Sequence, residues 1–536
     1  MSETTVYRAR KIVTMDPNLP EATHVAVRDG RILAVGGAYC AEPWGGGRLD
    51  ERFADAVLMP GFVEGHAHMM AGAMWRYPYV GYHDRVDTTG RLWPAMTDIG
   101  QVIERLRLAD SEMEDPDKPL FAWGFDPIFL PSERLNRSHL DAVSSTRPII
   151  VQHSNFHLLT ANSPALAMAG YTRETNVEGV AKGPDGEPNG ELQEMAAMFP
   201  LMRRVGIEFR YLSSHPDSIA AFGATARLAG VTTMTDLHAA LPDEDVAAMT
   251  RATAAPDFPL RIVPMLGAAL MPPAEVPPRA QALAKQSSDM LRLGGVKLIL
   301  DGSIQGYTSR LRWPGHVNGA PNGIWVIAPE QADGLIDALH RAGVQMHIHT
   351  NGDEASVVAL DSLERAIAGY PWLDHRHTLQ HGQLIDAAMF RRMARLGVCA
   401  NLFVNHIWYF GDQHVAKSLG EDRAARMDAC RSCLDAGVPL AIHSDAPVTP
   451  LGPLMTAWCA VNRLTMSGRC LGPAQRISVH DALSAITIGA AYTLRLDHEI
   501  GSIECGKIAD FAVLGDDPTA IDPAALRDIA VLGTVS

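Results

Sequence analysis

Eight short apolar segments recur along the middle of the chain, and helical segments with one apolar face lie between the later ones. Strands that alternate with amphipathic helices favour βαβ units and a parallel sheet. Eight such strands over about 390 residues predict a (β/α)8 TIM barrel, which is an α/β fold. The predicted strands are 58–63, 231–235, 260–264, 296–300, 344–349, 378–381, 398–402 and 440–444.

The rest of the chain divides into an insertion and two short ends. A segment of about 70–225, rich in Trp, Tyr, Pro and Gly, separates the first two predicted strands. Residues 1–58 and 490–536 both consist of short strand-like runs with tight turns, such as Asp29-Gly30. Neither end is long enough to bury a core of its own. We therefore predict one small β-sandwich domain built from both ends, with the barrel at 59–489.

Composition limits the partners and the compartment. The 46 Lys and Arg against 61 Asp and Glu give a net charge of −15, so binding to nucleic acid or to an anionic membrane is not expected. Seven cysteines are too few for a disulfide framework. The sequence opens without a secretory signal and has no run of about 18 apolar residues that would span a membrane. A cytoplasmic protein acting on a small molecule is expected, and a homodimer is one option for its assembly.

Ionisable side chains stand where several predicted strands end. His66 and His68 follow the first strand two residues apart, so both imidazoles project to the same side. At the carboxyl end of a barrel strand that side is the mouth, where this fold places its sites. Lys297 lies inside an apolar strand, although Lys is rarely buried without a partner. Later strands end in His349, His381 and Asp445. Imidazole and carboxylate groups in this arrangement indicate a metal site.

Longer motifs surround these side chains. The first half of the chain carries Pro60-Gly61 before His66-Ala-His68, Trp123-Gly-Phe-Asp126-Pro127, His157, Asn162-Ser163 and Gly230-Val-Thr-Thr-Met-Thr-Asp236. The second half carries Lys297 with Asp301-Gly302-Ser303, His349 with Gly352-Asp353, His381, Ser444-Asp445-Ala-Pro447 and Gly506-Lys507-Ile-Ala-Asp510. With these motifs the chain resembles, over nearly its whole length, the amidohydrolase superfamily, in its N-substituted formamide deformylase-like (YtcJ-like, amidohydrolase 3) branch.

The resemblance implies a metal centre. It assigns His66, His68 and Asp445 to one ion, His349 and His381 to a second, and Lys297, carboxylated on its amine by CO2, to the bridge between them. Zinc is the expected ion because imidazole and carboxylate ligands suit it, and Mn, Fe or Co are alternatives. A single-metal site with unmodified Lys297 is the other arrangement that the sequence leaves open.

The resemblance also implies hydrolysis of an amide-type C–N bond. A metal-activated hydroxide would attack the carbonyl, and Asp445 would accept the proton of the nucleophile and pass it to the leaving amine. Cyclic-amide opening, ester or lactone hydrolysis and deamination at the same site stay open. The His-x-x-Glu pattern of the deaminases is not matched by His349-Thr-Asn-Gly-Asp353. A non-catalytic scaffold protein is disfavoured because every ligand position is present.

Substrate-binding residues are expected in the insertion and in the loops at the strand ends. His443 stands where this branch commonly has Gly, in phase with Asp445, so it would orient that acid or touch substrate. A hydrogen-bonded histidine behind the ligands is the alternative for His443, as it is for His347 beside His349. Any Trp of the insertion has packing in a core as its alternative. The candidates are Trp123, Asp126, His157, Asn162 and His443.

Overall fold

The computed structural model describes residues 3–130, 134–207 and 209–536, with the side chains of residues 209 and 210 left out of the description. In chain order its strands are β1 Thr5–Val13, β2 Glu21–Arg28, β3 Arg31–Gly36, β4 Arg48–Pro60, β5 Phe62–Glu64, β6 Arg85–Val86, β7 Leu92–Trp93, β8 Leu120–Phe125, β9 Ile149–His153, β10 Leu158–Ala161, β11 Val180–Lys182, β12 Pro188–Gln193, β13 Val231–Ala239, β14 Arg261–Gly267, β15 Val296–Ile299, β16 Met346–Thr350, β17 Thr378–His381, β18 Cys399–Leu402, β19 Leu440–Ile442, β20 Phe511–Leu514 and β21 Val531–Val535.

Helices cover the strands. In chain order they are α1 Met70–Ala73, α2 Ile99–Ser111, α3 Arg137–Asp141, α4 Ser163–Ala169, α5 Glu194–Arg204, α6 Phe209–Ser214, α7 Pro216–Leu228, α8 Asp243–Thr253, α9 Val276–Ala284, α10 Pro329–Arg341, α11 Asp353–Gly369, α12 Ala387–Leu396, α13 Asn405–Gln413, α14 Gly420–Ala425, α15 Cys430–Asp435, α16 Pro453–Asn462, α17 Val479–Ala485 and α18 Ile488–Thr493. Within the described ranges, no helix combines the length and the apolar character needed to cross a bilayer.

Eight parallel strands form the predicted barrel. Their order is β5, β13, β14, β15, β16, β17, β18 and β19, so each strand pairs with the next one along the chain. Every predicted strand overlaps one of them, and the apolar residues between the strands and the helices form the largest core of the molecule. The (β/α)8 prediction is confirmed.

The first predicted strand is in fact shared by two sheets. Residues up to Pro60 belong to β4 of the terminal sheet, and Phe62 begins β5 of the barrel. Gly61 lies between them and donates its N–H to the carbonyl of Asp510 at 2.9 Å. A Cβ at position 61 would lie 2.0 Å from the hydroxyl oxygen of Thr232, so only glycine lets the two sheets join here.

The seam of the barrel lies between β5 and β19, the two end strands of the sheet. A bridge between Ala67 and Ala446 joins the chain beyond these strands. His68 donates its N–H to the carbonyl of Ala446 at 2.9 Å. The residues that follow the first and the eighth strands are therefore held side by side, which brings the predicted ligands of both strands together.

The insertion forms a separate lobe over the mouth of the barrel. It contains a five-stranded sheet in the order β11, β12, β10, β9, β8, with its own apolar clusters. Helix α7, at the end of the predicted insertion, packs against β13 and α8 of the barrel as well as against α1.

The two ends of the chain form the predicted small β-domain. Its strands are hydrogen-bonded in the order β21, β20, β4, β1, β2, β3, with β4 bonded to β1 on one edge and to β20 on the other. Asp29 and Gly30, with φ of 52° and 70°, form the expected hairpin turn between β2 and β3. The expected boundary at residue 490 falls inside α18, which packs on β5, β18 and β19 and so belongs to the barrel.

Candidate metal centre and active site

A cavity of about 430 Å3 opens at the carboxyl ends of the barrel strands, where TIM barrels place their sites. One wall carries polar side chains of the strand ends, and the other carries apolar side chains from the insertion and its neighbours. The strand-end wall includes His66, His68, Asp236, His238, Lys297, His349, His381 and Asp445. The apolar wall includes Met70, Phe156, Met195, Phe199, Met202, Ile207, Leu241, Met249 and Leu270.

The pair that follows β5 meets the acid that follows β19. The Nε2 atoms of His66 and His68 lie 3.5 and 3.4 Å from Oδ1 of Asp445. Gln380 fixes the ring of His66, because its Oε1 lies 2.7 Å from Nδ1 of that histidine. The Nε2 atom of His66 is therefore left for a ligand, and the three side chains form a compact group of nitrogen and oxygen donors.

Asp445 is held by its neighbours in the barrel seam. Ser444 donates its N–H and its hydroxyl to the two carboxylate oxygens of Glu64, at 3.0 Å each. Burial raises the pKa of Glu64 to about 8, against the opposing effect of these hydrogen bonds. Asp445 itself has a φ of 54°, a conformation that non-glycine residues seldom adopt. No motif in the sequence predicted the role of Glu64.

Lys297 lies on β15 and is buried beside His66, with 3.4 Å between Nζ and the Nε2 atom of the histidine. Burial lowers the pKa of Lys297 to about 7, although the Asp445 carboxylate acts in the opposite direction. At neutral pH a good part of this amine is uncharged, which is the form that can react with CO2.

The second predicted pair of metal ligands, His349 and His381, is less well arranged to share an ion. The rings of His349 and His381 lie 4.4 Å apart. His381 has no hydrogen-bond partner for either nitrogen among the residues that the structure describes. His349 instead has its Nε2 atom 3.3 Å from the carbonyl oxygen of Gly302, and so stands apart from the two groups of candidate ligand atoms. Those groups, each with its donor atoms within 4.8 Å of one another, are His66, His68, Asp445 and His66, His381, His443.

These donors fit a divalent metal ion. Buried polar atoms in folded proteins nearly always have a partner. Here both nitrogens of His381, both nitrogens of His443 and Oδ1 of Asp445 have none in the described part of the chain. A transition-metal ion is a natural partner for imidazole and carboxylate groups at this separation.

The insertion contributes an ion pair between His157 and Glu194, of which only His157 was predicted from the sequence. Nδ1 of His157 lies 2.9 Å from Oε2 of Glu194, the first residue of α5. Burial lowers the pKa of His157, but the charge and the hydrogen bond of Glu194 outweigh it and raise the pKa above its ordinary value. The His157 ring is 5.2 Å from that of His349, so the pair faces the strand-end wall.

Strained backbone is concentrated around the cavity. Thirteen described residues other than glycine have positive φ, and six of them line this cavity: Phe156, Glu194, His238, Leu241, His381 and Asp445. Such conformations persist where the surroundings hold them, which is common at functional sites. The positive φ of His381 interrupts the alternation of β17. As a result, His381 lines the cavity while the preceding residue, Gln380, contacts His66.

Three residues expected to bind substrate do not line the cavity. Trp123 is fully buried in the core of the insertion, with its ring centroid 5.0 Å from that of Trp75. Asp126 holds a turn by accepting hydrogen bonds from the N–H of Ile128 and the hydroxyl of Ser154. Asn162 caps α4 and bonds three other backbone groups. In this structure these three motif residues pack or form hydrogen bonds within the lobe.

His443 is also absent from the cavity wall, because it lies behind the ligands in the barrel interior. Its ring is stacked on that of His66, with 4.5 Å between centroids and 15° between planes. His347, the other histidine in phase with a ligand, has both nitrogens hydrogen-bonded, to Gln380 and to the carbonyl of Thr493. Of the five residues expected to bind substrate, only His157 lies in the wall.

Comparisons with known proteins agree with this architecture. Residues 54–536 match the model of the Amidohydrolase family. The chain is 29% identical over 528 residues to Protein LONG AFTER FAR-RED 3 of Arabidopsis thaliana, a match covering 94% of this chain and 85% of that protein. It is 27% identical over 542 residues to the N-substituted formamide deformylase of Arthrobacter pascens, covering 97% and 95%. An uncharacterized metal-dependent hydrolase from Pyrococcus horikoshii OT3 has a similar crystal structure, with a TM-score of 0.71, 19% identity and coverage of 97% and 99%.

The chain belongs to the amidohydrolase family, as its motifs predicted. With the buried imidazole cluster, this membership defines a metal-dependent hydrolase of the amidohydrolase superfamily. The two named relatives carry very different descriptions, so membership leaves the substrate to be argued from the site.

Proposed function

We propose that the protein hydrolyses an amide-type C–N bond of a small molecule with the help of metal ions bound at the barrel mouth. The observation that carries this proposal is the convergence of His66, His68, His381 and Asp445 at the barrel mouth. Both nitrogens of His381 and Oδ1 of Asp445 have no hydrogen-bond partner among the described residues. The reaction type follows from the family and from the relative named as a formamide deformylase.

In this proposal two zinc ions would occupy the site. His66, His68 and Asp445 would hold the first, and His349 and His381 would hold the second, for which His349 must leave its contact with Gly302. Lys297, carboxylated on Nζ, would be a ligand shared by both ions. Its buried amine, whose pKa burial lowers to about 7, supports that modification, because an amine attacks CO2 only when it is unprotonated.

A bound divalent ion would polarise the scissile carbonyl and lower the pKa of water. Asp445 is placed to accept the proton of the attacking water, since its Oδ1 has no partner among the described residues, and to deliver that proton to the leaving nitrogen. On the facing wall, His157 is held by Glu194 through Nδ1, which leaves Nε2 as the ring nitrogen that can donate to the substrate. The apolar wall would receive the non-reacting part of the molecule.

Deamination is a weaker candidate. The acid that follows His349 in the chain is Asp353, and its carboxylate bonds the N–H and the guanidinium of Arg312, at 2.8 and 3.0 Å. Asp353 is not among the residues that line the cavity. It therefore cannot serve as the extra acid of a deaminase site, whereas ester, lactone and cyclic-amide hydrolysis would use the same groups as the amide reaction.

The test is metal stoichiometry by elemental analysis, combined with a substrate panel of amides, cyclic amides, esters, lactones and amino-heterocycles. Protein expressed with zinc and bicarbonate should bind about two ions. Lys297→Ala should lose most of them together with amide turnover. The matched control is Lys417→Ala, since Lys417 donates to the carbonyls of Ile128 and Leu130 away from the cavity. If the protein binds about one ion and Lys297→Ala does not change that number, the site holds a single metal and the two-ion arrangement is wrong. If only the esters are hydrolysed, the amidase assignment is wrong.

A further inference from the structure

His443 is enclosed by aromatic rings in the interior of the barrel. Its ring lies between that of His66, at 4.5 Å, and that of Phe403, at 5.0 Å, with interplanar angles of 15° and 21°. The ring of His381 approaches to 5.1 Å at a steep angle. The side chain is fully buried, so bulk water does not reach it.

Both ring nitrogens of His443 lack a hydrogen-bond partner among the residues described by the structure. His347 occupies a comparable position, two residues before a predicted ligand, and both of its nitrogens are bonded. An unpaired polar atom in a buried position costs free energy that a simple packing residue would avoid. The described chain thus supplies no partner for the polar atoms of His443, and stacking alone does not account for a polar ring here.

Two neighbouring imidazoles can complete a ligand set with His443. Donor nitrogens of His66, His381 and His443 all lie within 4.8 Å of one another. Around a tetrahedral zinc ion with Zn–N bonds of about 2.0–2.1 Å, such nitrogens would be separated by about 3.3 Å. Binding would therefore require the rings to rotate, above all those of His66 and His443, whose planes are stacked at 15° and must tilt to direct their in-plane lone pairs at one ion. Since His381 also has both nitrogens unpartnered in the described chain, two of the three residues have a nitrogen free for an ion.

We propose that His443 is a metal ligand and that, with His66 and His381, it forms a three-imidazole site deeper in the barrel than the set of His66, His68 and Asp445. This inference rests on the proposed metal-dependent function. His66 has a single nitrogen available, because Gln380 occupies the other, and His381 is also the proposed ligand of the second ion. An ion in the deep site therefore replaces the two-ion arrangement at the mouth and does not add to it. The deep site has only neutral nitrogen donors, which favour Zn, Co, Ni or Cu over Mg or Ca.

The experiment is titration of the metal-depleted full chain with Co2+, followed by its d–d absorption and by elemental analysis. His443→Ala should weaken Co2+ binding about tenfold or more and change the absorption spectrum. His443→Gln, which is closer in size to histidine, is measured as well, so that a folding defect in the alanine variant is not mistaken for a loss of metal binding. Added imidazole should restore the spectrum of His443→Ala, since a free imidazole can enter the space left by the side chain.

The control is His340→Ala. His340 is also fully buried, but its nitrogens bond to His377 and to the carbonyl of Tyr370, and it does not line the cavity. Its loss should leave Co2+ affinity and spectrum unchanged. If both His443 variants bind Co2+ like the wild type with the same spectrum, His443 is an aromatic spacer and the inference is wrong, while the proposed function stands. If the wild type binds no Co2+ or Zn2+, the proposed function itself fails.

Discussion

The carboxylate of Glu64 accepts both the N–H and the hydroxyl of Ser444, at 3.0 Å each, across the seam between the first and the eighth barrel strands. Glu64 is two residues before His66, and Ser444 directly precedes Asp445. This contact therefore fixes the distance between two of the proposed ligands without touching an ion itself, in the way that outer hydrogen bonds orient metal ligands in other sites.

Removing the serine hydroxyl should loosen this seam. We expect Ser444→Ala to lower the free energy of unfolding by about 1–3 kcal/mol, because a buried acceptor on Glu64 loses a partner. Urea denaturation measures the loss. Ser111→Ala, which deletes an exposed hydroxyl bonded to the carbonyl of Leu108, is the control and should have little effect. Equal stability of the two variants would show that the seam does not depend on Ser444.

Glu64 should also give the protein a pH-dependent stability. Burial raises its pKa from 4.5 to about 8, so the folded state binds this proton more tightly than the unfolded state. The contribution is full below about pH 4.5 and is lost as the pH rises toward 8. Thermal unfolding between pH 5 and 8 should therefore show a flatter pH dependence for Glu64→Gln than for the wild type. Parallel curves would mean that Glu64 is ionised throughout this range.

Asp445→Asn separates proton transfer from metal binding. The amide keeps the size of the side chain and one oxygen donor but is not a base, so turnover should fall by about 100-fold or more. Most of the metal should remain bound, since His66 and His68 are unchanged. Steady-state rates with elemental analysis of the same samples provide the measurement. Loss of metal in proportion to activity would assign Asp445 to coordination alone.

Glu194→Gln tests the ion pair that the insertion contributes. The Glu194 charge raises the pKa of His157, so its removal should lower that pKa. If the charged imidazole is the active form, the alkaline limb of the pH profile of kcat/KM should move to lower pH. A matched change, Glu191→Gln, affects an acid paired with Arg134 in the same lobe and should leave the profile in place. An unmoved limb in Glu194→Gln would exclude a role for charged His157.

Asp126 should matter for folding and not for catalysis. Asp126→Ala removes the acceptor of the Ile128 N–H and of the Ser154 hydroxyl, so we expect a loss of about 1–3 kcal/mol in unfolding free energy. Values of kcat and KM at a temperature where the variant is folded should match those of the wild type. Asp126→Asn, which keeps one acceptor, should be less destabilised. A raised KM in both variants would restore Asp126 as a substrate-binding residue.

The sequence predicts the barrel and the strand-end ligands because both follow from regular patterns. Period-two alternation places His66 beside His68, and the carboxyl ends of parallel strands meet at one face, which brings Asp445 to them. Gln380 was not predicted, because the positive φ of His381 breaks the alternation and brings two consecutive side chains to the site. Glu194 was missed for a different reason, since its place beside His157 depends on the pairing of β10 with β12, in which Leu158 lies opposite Gln193.

The motif residues of the insertion show a second limit of predicting function from sequence. Trp123 and Asn162 match the family pattern as well as the ligands do, yet one packs in a core and the other caps a helix. A sequence motif records that a residue type is needed at a position. It does not distinguish the need to bind a ligand from the need to build the wall behind it.

The first barrel strand continues directly from β4, and β4 is flanked by β1 from the start of the sequence and by β20 from its last thirty residues. The small sheet thus cannot be completed until β20 and β21 have left the ribosome. During synthesis, residues 57–60 of β4, which pair with β20, lack one neighbouring strand while some 450 residues are added after them. A ribosome stalled shortly before β20 should hold a chain whose barrel is already mostly made but whose residues 57–60, just before the first barrel strand, are still open to protease.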